Sequence, residues 1–321
     1  MKRKKDLYKN TYKLENIFTA YNEVMKNTKN KKKVEEYKKL KCAHIFNIYN
    51  TLKNKQYKPG KYHIFTIYEP KKRIIVSQEI EDKIINHIVA RYILEPAVFP
   101  CLLDCNVASI KNMGVSKGIE LANKYKRKCN IKYKKYYILK CDISKFFASI
   151  NHNILKIKLS KKIKDKEALE ILYRIIDSYK DGIGIGNMTS QIFAIFYLND
   201  LDHYIKEELK IKYYIRYQDD FLLFHPSKKY LKFCLNKIEE FLKNEKLMLN
   251  KKTRIYTNKN NFIFLGRTKK GKYAKYRTIN KKIKKRIQEY KNNKIRLISL
   301  ISSINNFKIN NKNRINNKVK I

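Results

Sequence analysis

Residues 213–224 read Tyr-Tyr-Ile-Arg-Tyr-Gln-Asp-Asp-Phe-Leu-Leu-Phe, two apolar runs around an acidic centre. The aromatic and aliphatic runs predict two buried strands, Tyr213 to Tyr217 and Phe221 to Phe224, joined by a tight turn. Buried strands rarely present two carboxylates at their junction without a ligand that compensates the charge. The pattern therefore predicts that Asp219 and Asp220 belong to a ligand site at a hairpin tip.

Further predicted elements flank this hairpin: a strand over Tyr137 to Cys141, a helix starting near Asn153, helices from about Thr189 to Leu209 and from about Lys229 to Asn244, and a short strand pair near Ile255 and Phe262–Leu265. Strand, helix, hairpin, helix, strand is the split-βαβ arrangement. In such a sheet the end of the first strand lies beside the tip of the hairpin. Asp142, which follows the first strand, is therefore expected to face Asp219 and Asp220.

The remaining chain is mostly helical by its spacing. The predicted elements are helices within residues 1–55, a hairpin from His63 to Val76, and an amphipathic helix from Ile80 to Leu94 that ends before Pro96. From Arg267 to Ile321 there are 19 Lys or Arg and one acid, Glu289, with helical spacing of the isoleucines. That segment is expected to form a small basic helical domain.

The composition favours a nucleic-acid partner. Lys and Arg total 75 against 28 Asp and Glu, a formal net charge of +47. Part of the lysine excess is typical of an AT-rich genome, but the remainder favours binding to a phosphate backbone. No apolar run is long enough to span a bilayer and no signal-peptide core follows the basic N-terminus, so a cytoplasmic protein without a membrane partner is expected. The six cysteines lack the short spacing of a zinc site.

Grouped aspartates suit nucleotidyl transfer, in which the attacked phosphorus gathers negative charge. Two divalent ions roughly 3.5–4 Å apart can activate the attacking oxygen and stabilise the leaving pyrophosphate. Magnesium prefers carboxylate oxygens and retained water. Asp142, Asp219 and Asp220 are therefore the candidate ligands of two Mg²⁺ ions, with Mn²⁺ able to substitute.

Six segments occur in a fixed order over about residues 57–267: Glu69-Pro-Lys-Lys-Arg73, Cys141-Asp-Ile-Ser-Lys-Phe-Phe147, Ile185-Gly-Asn-Met-Thr-Ser-Gln191, Tyr217-Gln-Asp-Asp220, Asn250-Lys-Lys-Thr253 and Phe264-Leu-Gly266. In that order they resemble the fingers motif, the first palm motif, the glycine-serine loop, the YxDD box and the two segments after the palm of reverse transcriptases. The resemblance implies an α+β right-hand polymerase with fingers, a split-βαβ (ferredoxin-like) palm and a short basic helical thumb. It also implies an RNA-directed DNA polymerase that uses an RNA template, a DNA or RNA primer and dNTPs.

Domain boundaries follow from the same resemblance. Residues 1–135 are expected to hold the N-terminal helices and fingers, with the boundary to the palm interleaved near residues 100–135. Residues 136–266 would form the palm, and residues 267–321 the thumb and a basic tail.

The resemblance also assigns roles. Asp142 and Asp219 would ligate both metals, Asp220 would support them, and the backbone carbonyl of Ile143 would be a further ligand. Lys252 matches a lysine proposed to protonate pyrophosphate. The nucleotide-binding candidates are Lys71, Arg73, Lys111, Phe147, Gly186 and Gln191, and the primer-grip candidates are Phe264, Leu265 and Gly266. Phe147 matches the steric gate against a ribose 2′-hydroxyl. The fingers loop lacks its usual Arg, so Lys111 or Lys117 is expected to substitute there, as a point charge rather than a fork.

Three questions of class stay open. The Ile-Gly-x-x-x-Ser-Gln loop is similar to diversity-generating retroelement enzymes, which make errors opposite adenine and work with a structured RNA and a small basic accessory protein. The compact length also favours that class over group II intron proteins, while retron and phage-defence enzymes are alternatives. Outside the family, a catalytically inactive nucleic-acid-binding polymerase fold is disfavoured because all three aspartates are present. A cyclase-like palm is disfavoured by the basic C-terminal segment.

Overall fold

The computed structural model describes residues 3–68, 73–260, 262–268, 276–293 and 297–302. The chain divides into two compact units, Met1–His63 with Val76–Asn260, and Ile64–Ile75 with Asn261–Ile321. The functional division into fingers, palm and thumb stays a prediction. None of the helices in the described ranges combines the length and apolar character needed to cross a membrane.

The N-terminal region is helical, as its spacing predicts. A 3-10 turn (Tyr8–Asn10) precedes α1 (Leu14–Asn27), α2 (Lys31–Lys39) and α3 (Lys41–Lys53). The Asn30 side chain caps α2 by accepting a hydrogen bond from the Lys33 backbone N–H at 3.1 Å. The predicted hairpin follows as β1 (His63–Ile67) and β2 (Arg73–Ser77), which form a two-stranded sheet.

The next helix runs further than its sequence predicts. It comprises α4 (Ile80–Val89), a π-helical turn (Ala90–Leu94) and α5 (Glu95–Val98), so the expected end before Pro96 is wrong. Proline has no backbone N–H to continue the α-helical ladder, and a π-turn is a common local adjustment within such a helix. Burial of Ala97 and Val98 favours the continuation. A 3-10 turn (Phe99–Cys101) and a loop then lead to α6 (Val115–Lys132).

The central sheet has four antiparallel strands. They are β3 (Tyr137–Asp142), β4 (Tyr213–Tyr217), β5 (Asp220–His225) and β6 (Arg254–Thr257), in the spatial order β4-β5-β3-β6. The intervening helices are α7 (Phe146–Ser149), α8 (His152–Ser160), α9 (Lys166–Asp177), α10 (Met188–Tyr197), α11 (Asn199–His203) and α12 (Lys228–Asn244). This order and connectivity confirm the predicted split-βαβ arrangement.

One predicted helix is divided. The segment expected as a single helix from Thr189 to Leu209 consists of α10, α11 and a π-helical turn (Tyr204–Glu208). The break falls at Leu198, whose backbone (φ −93°, ψ 6°) leaves the helical region. Apolar burial continues across the break, so the periodicity of the sequence alone did not reveal it.

The two faces of the sheet differ. Cα partners place Asp142 opposite Asp220, so these side chains share one face. At the other end of that face, Tyr125 of α6 packs on Tyr213 and Phe224, with ring centroids 5.3 and 6.1 Å away. The opposite face carries Leu139, Cys141, Phe221 and Leu223, which belong to the main hydrophobic core. The aspartates therefore lie at the end of the α6 face that Tyr125 does not cover.

The second unit contains β7 (Ile263–Phe264), β8 (Arg267–Thr268), α13 (Tyr276–Lys291) and a short helix over residues 297–302. β7 pairs with β8, so the expectation that Phe262–Leu265 pairs with the strand near Ile255 is wrong. Leu265 and Gly266 join the two strands with φ angles of 49° and 74°, as a two-residue hairpin turn requires. The Arg286 guanidinium lies over the Tyr68 ring at 4.8 Å.

Candidate active site

Three aspartates meet where β3 and the β4–β5 hairpin end. Asp142 is the last residue of β3 and lies directly opposite Asp220, the first residue of β5. Asp219 occupies the turn, and its backbone carbonyl accepts a hydrogen bond from the Ile143 N–H at 3.2 Å. The structure thus places the four predicted metal ligands, Asp142, Ile143, Asp219 and Asp220, side by side, although their roles stay a prediction.

The turn adopts an unusual backbone conformation. Gln218 has a φ of 55°, in the left-handed region that side chains other than glycine seldom adopt. This conformation reverses the chain within two residues and turns Asp219 toward β3. The Tyr217 pairing with Asp220 closes the hairpin.

A lysine compensates one charge at the site. The Lys140 ammonium group lies 2.5 Å from an Asp220 carboxylate oxygen, and Lys140 shares the face of Asp142 and Asp220. Burial raises the pKa of Asp220 to about 6; Lys140 opposes this rise, and the charges of Asp142 and Asp219 add to it. The sequence did not single out Lys140, because a lysine within a strand gives no local signal in a chain so rich in lysine.

The donor set fits a divalent cation. The negative charges of Asp142 and Asp219 raise the pKa of Asp220, and a bound cation would reduce this repulsion. Carboxylates are also the ligands that magnesium prefers. Within the described ranges, no group of three or more His, Cys, Asp and Glu side chains is arranged to hold a metal. Asp220 is engaged with Lys140. The fitting set is therefore Asp142 and Asp219 with a backbone oxygen, rather than three carboxylates.

The turn that carries Lys252 lies beside Asp142. The Asn250 N–H donates to the Asp142 carbonyl at 2.7 Å, and the Asn250 side chain accepts from the Lys252 N–H at 3.1 Å. Ile143 also forms an antiparallel bridge with Leu249. These bonds bring an exposed lysine into the neighbourhood of the aspartates, and its role stays a prediction.

The glycine-rich loop before α10, residues 182–187, packs against the segment after Asp142. The Ile183 N–H donates to the Phe147 carbonyl at 2.8 Å. A Cβ atom on Gly182 would lie 2.3 Å from the same oxygen, so only glycine permits this approach. Phe147 is half-buried and makes an edge contact with Phe146 at 5.7 Å. Gly186, with a φ of 145°, lies further along the loop.

A buried polar network holds the far end of that loop. The Asn187 amide donates to Gln78 at 2.8 Å and to the Tyr179 hydroxyl at 2.9 Å, and the Thr189 hydroxyl donates to Asn86 at 2.7 Å. The bonds to Gln78 and Asn86 join residues more than 100 positions apart, so sequence reasoning missed these two side chains. The network fixes the start of α10 against α4.

A second set of contacts joins the loop before α6, residues 102–114, to the hairpin tip. The Gln218 amide donates to the Ser109 hydroxyl at 2.8 Å, and that hydroxyl donates to Gln191 at 3.3 Å. Gln191 was a sequence candidate, whereas Ser109 was not. Lys111 is exposed in the same loop. The structure thereby connects the predicted nucleotide pocket to the turn that carries Asp219.

Other candidates lie elsewhere in the described structure. Lys71 lies outside the described residues. Arg73 is exposed in the second unit, which also contains the primer-grip candidates. Phe264 is buried there, and Leu265 and Gly266 form the β7–β8 turn.

Comparison with known proteins agrees with this geometry. Residues 53–269 match the family described as reverse transcriptase (RNA-dependent DNA polymerase). This match covers well over half of the chain, which therefore belongs to the reverse transcriptase family. A segment of 110 residues is 28% identical to the putative COX1/OXI3 intron 2 protein of Saccharomyces cerevisiae, and it covers 31% of this chain and 12% of that protein.

Solved structures show the same fold. A Candida tropicalis telomerase truncated from its C-terminal domain is 17% identical with a TM-score of 0.51, over 66% of this chain and 53% of that one. Candida albicans telomerase, solved with a fragment of telomeric RNA, is 13% identical with a TM-score of 0.52, over 73% and 51%. The chain thus spans about half of these telomerases. The predicted fold class, a right-hand polymerase, is confirmed.

Proposed function

We propose that this chain is an RNA-directed DNA polymerase that extends a DNA or RNA primer with dNTPs on an RNA template in the cytoplasm. The observation that carries the proposal is the meeting of Asp142, Asp219 and Asp220 at one hairpin tip, within the segment that matches the family. The net charge of +47 supports binding to a polyanion. The telomerase solved with RNA is a relative in fold only, and it supports an RNA partner by analogy.

In this proposal Asp142 and Asp219, with the Ile143 carbonyl, hold two divalent ions, Mg²⁺ or Mn²⁺. When bound, such ions activate the attacking 3′-oxygen and stabilise the charge of the leaving pyrophosphate. Lys140 keeps Asp220 in place beside them, since their charged groups lie 2.5 Å apart. The chain's main contribution is a preorganised arrangement of charge, fixed by strand pairing before the substrate arrives.

The surrounding residues orient the substrates. Gly186 and Gln191 shape the nucleotide pocket, and Lys111 meets the triphosphate. The family resemblance assigns a triphosphate contact to Lys71 and Arg73 as well. The half-buried ring of Phe147 stands beside the sugar and excludes a 2′-hydroxyl, because its contact with Phe146 limits its movement. Lys252 gives a proton to pyrophosphate. Phe264, Leu265 and Gly266 contact the primer strand.

Primer extension on a primed RNA with Mg²⁺ and dNTPs tests the reaction, comparing wild type with Asp219→Asn. We expect DNA synthesis by wild type, none by Asp219→Asn, and equal binding of the primed template by both. Glu240→Gln, which changes an exposed carboxylate on α12, is the control for loss of charge. Binding without extension by wild type, even with the accessory protein and RNA supplied, would refute the enzyme and favour a binding scaffold.

We further infer error-prone copying in a diversity-generating retroelement, with a structured RNA and a small basic accessory protein as partners. The Ile-Gly-x-x-x-Ser-Gln sequence of residues 185–191 supports this class. The similarity to a yeast intron protein favours a second candidate, a group II intron-like enzyme. Sequencing the cDNA separates the two, because errors concentrated opposite adenine support the first and errors spread evenly over the four bases support the second.

A further inference from the structure

A fully buried ion pair lies directly beneath the hairpin tip. The Arg216 guanidinium donates to both carboxylate oxygens of Asp202, from Nε at 2.7 Å and from Nη2 at 2.5 Å, and neither side chain is exposed. The same Asp202 oxygen that accepts from Nε also accepts from the Tyr214 hydroxyl at 2.7 Å. Nη2 donates in addition to the Ile195 carbonyl at 3.1 Å. This geometry is a bidentate fork, which lysine could not reproduce.

The remaining arm of the fork reaches the turn. Arg216 Nη1 donates to the backbone carbonyl of Gln218 at 3.2 Å. Gln218 holds the left-handed backbone conformation, which costs a residue other than glycine roughly 1 kcal/mol or more. The next residue is Asp219. The Arg216 guanidinium therefore connects Asp202 of α11 to the backbone of Gln218, which precedes the candidate metal ligand Asp219.

The main chain of Arg216 is fixed as well. Its N–H donates to the Cys105 carbonyl at 2.8 Å, and its carbonyl accepts from the Val107 N–H at 3.0 Å. The loop before α6 thus holds the backbone of Arg216, and α11 holds its side chain through Asp202. Arg216 has little freedom to move when the site binds charge.

Stability alone explains this pair poorly. Removing two charges from water is expensive, and apolar residues of similar volume often replace a buried ion pair without loss of stability. An apolar pair could fill the same space, but it could not donate to the Gln218 carbonyl. Among the bonds of the charged pair, the one to the Gln218 carbonyl acts on the turn that carries Asp219.

We propose that Asp202 and Arg216 are positioning residues, which hold Gln218 in its left-handed conformation and so direct the Asp219 carboxylate toward the metal site. The proposal rests on the proposed polymerase function and deepens it. It assigns to Asp202 and Arg216 a role in catalysis without contact with substrate.

The test is the double variant Asp202→Leu/Arg216→Met, with Lys237→Met/Glu240→Leu as a matched control that removes an exposed pair on α12. The readouts are the urea midpoint, binding of Mn²⁺ followed by electron paramagnetic resonance, and kcat and KM for dNTP in primer extension. We expect a folded protein with a lower urea midpoint, because the Tyr214 hydroxyl and the Ile195 carbonyl lose their partners. Mn²⁺ binding and kcat should each be reduced about 10- to 100-fold, and KM should stay within about 3-fold of wild type. The control should match wild type in all four readouts.

A folded double variant with wild-type Mn²⁺ binding and kcat would overturn the proposal and leave the pair a purely structural element. If the double variant fails to fold, Arg216→Lys decides, because it retains the charge but loses the fork. A folded Arg216→Lys protein should show the same loss of Mn²⁺ binding and kcat, and wild-type values would overturn the proposal. If wild type itself binds Mn²⁺ but extends no primer, the polymerase function fails, while the Mn²⁺ readout still tests the positioning role.

Discussion

Asp202 and Asp220 are two carboxylates of the same region that the protein treats in opposite ways. Asp202 is fully buried, and its oxygens accept hydrogen bonds from Arg216 and Tyr214. Asp220 lies at the first position of the inner strand β5, with Lys140 as its cationic partner and two further aspartates as neighbours. The pKa of Asp220 is raised to about 6. An arginine in the core compensates the charge of Asp202, whereas Asp220 belongs to a group of three aspartates at which we propose that cations bind. In our proposal, Asp202 supports the site and Asp220 belongs to it.

The largest effect should come from the reactive side of this comparison. Replacement of Asp142 by Asn removes a candidate metal ligand, so we expect the rate of primer extension to fall at least about 10³-fold. The melting temperature should stay the same or rise, because repulsion among the aspartates is reduced. Single-turnover extension and thermal unfolding measure the two quantities. An active Asp142→Asn enzyme would remove the distinction between Asp202 and the three aspartates at the hairpin tip.

On the supporting side, Asp202→Asn should lower the free energy of unfolding by about 3–5 kcal/mol, because it leaves the Arg216 charge buried without its partner. Asp200→Asn is the matched control two residues earlier in α11. Asp200 is 55% exposed and pairs with Lys158, so its loss should change stability by less than about 1 kcal/mol. Urea unfolding measures both. Equal effects of the two changes would contradict the special role of the buried pair.

The raised pKa of Asp220 predicts a pH dependence in metal-free protein. The folded state binds this proton more tightly than the unfolded chain, whose carboxyl has a pKa of 3.8. The stabilising contribution is therefore fully present below about pH 4 and lost as the pH rises through about 6, by on the order of 3 kcal/mol. Asp220→Asn should abolish this part of the pH profile. Unfolding measured from pH 4 to 7 with a chelator present checks it, and identical wild-type and variant profiles would exclude the shift.

The smallest effect concerns Lys140. Its positive charge opposes the rise in the pKa of Asp220, so Lys140→Met should raise that pKa further, by about one unit or about 1.4 kcal/mol. Carboxyl chemical shifts followed by NMR through a pH titration report the change. Lys237→Met, which removes an exposed lysine on α12, should leave the titration where it is.

The sequence predicted the sheet well because its strands carry their own signal. Tyr213–Tyr217 forms a strand with the predicted bounds, and Asp142 meets Asp219 and Asp220 as the split-βαβ order requires. Sequence reasoning failed where a local rule met tertiary packing. Pro96 does not end its helix, and the helix expected over Thr189 to Leu209 breaks at Leu198.

The sequence could not predict the residues that support the site, and the reason is a different one. The sequence predicts a strand that includes Arg216 and Tyr214 and a helix that includes Asp202, and it gives no sign that these side chains bond together. Lys140 and Ser109 likewise act through contacts with residues more than 75 positions away. Single-sequence patterns describe local preference, and such pairs become visible only when the fold brings them together.

The central position of β3 in the sheet also affects the order in which the strands can pair during folding. β3 pairs on one side with β5 and on the other with β6, which is complete only at Thr257. Such long-range pairing is slow to form, since the entropy of closing large loops must be lost before the contacts stabilise the chain. During synthesis, a ribosome will have made most of the chain before Asp142 and Asp220 can face each other across a finished sheet. The nascent polypeptide therefore exposes basic side chains well before its three aspartates can meet.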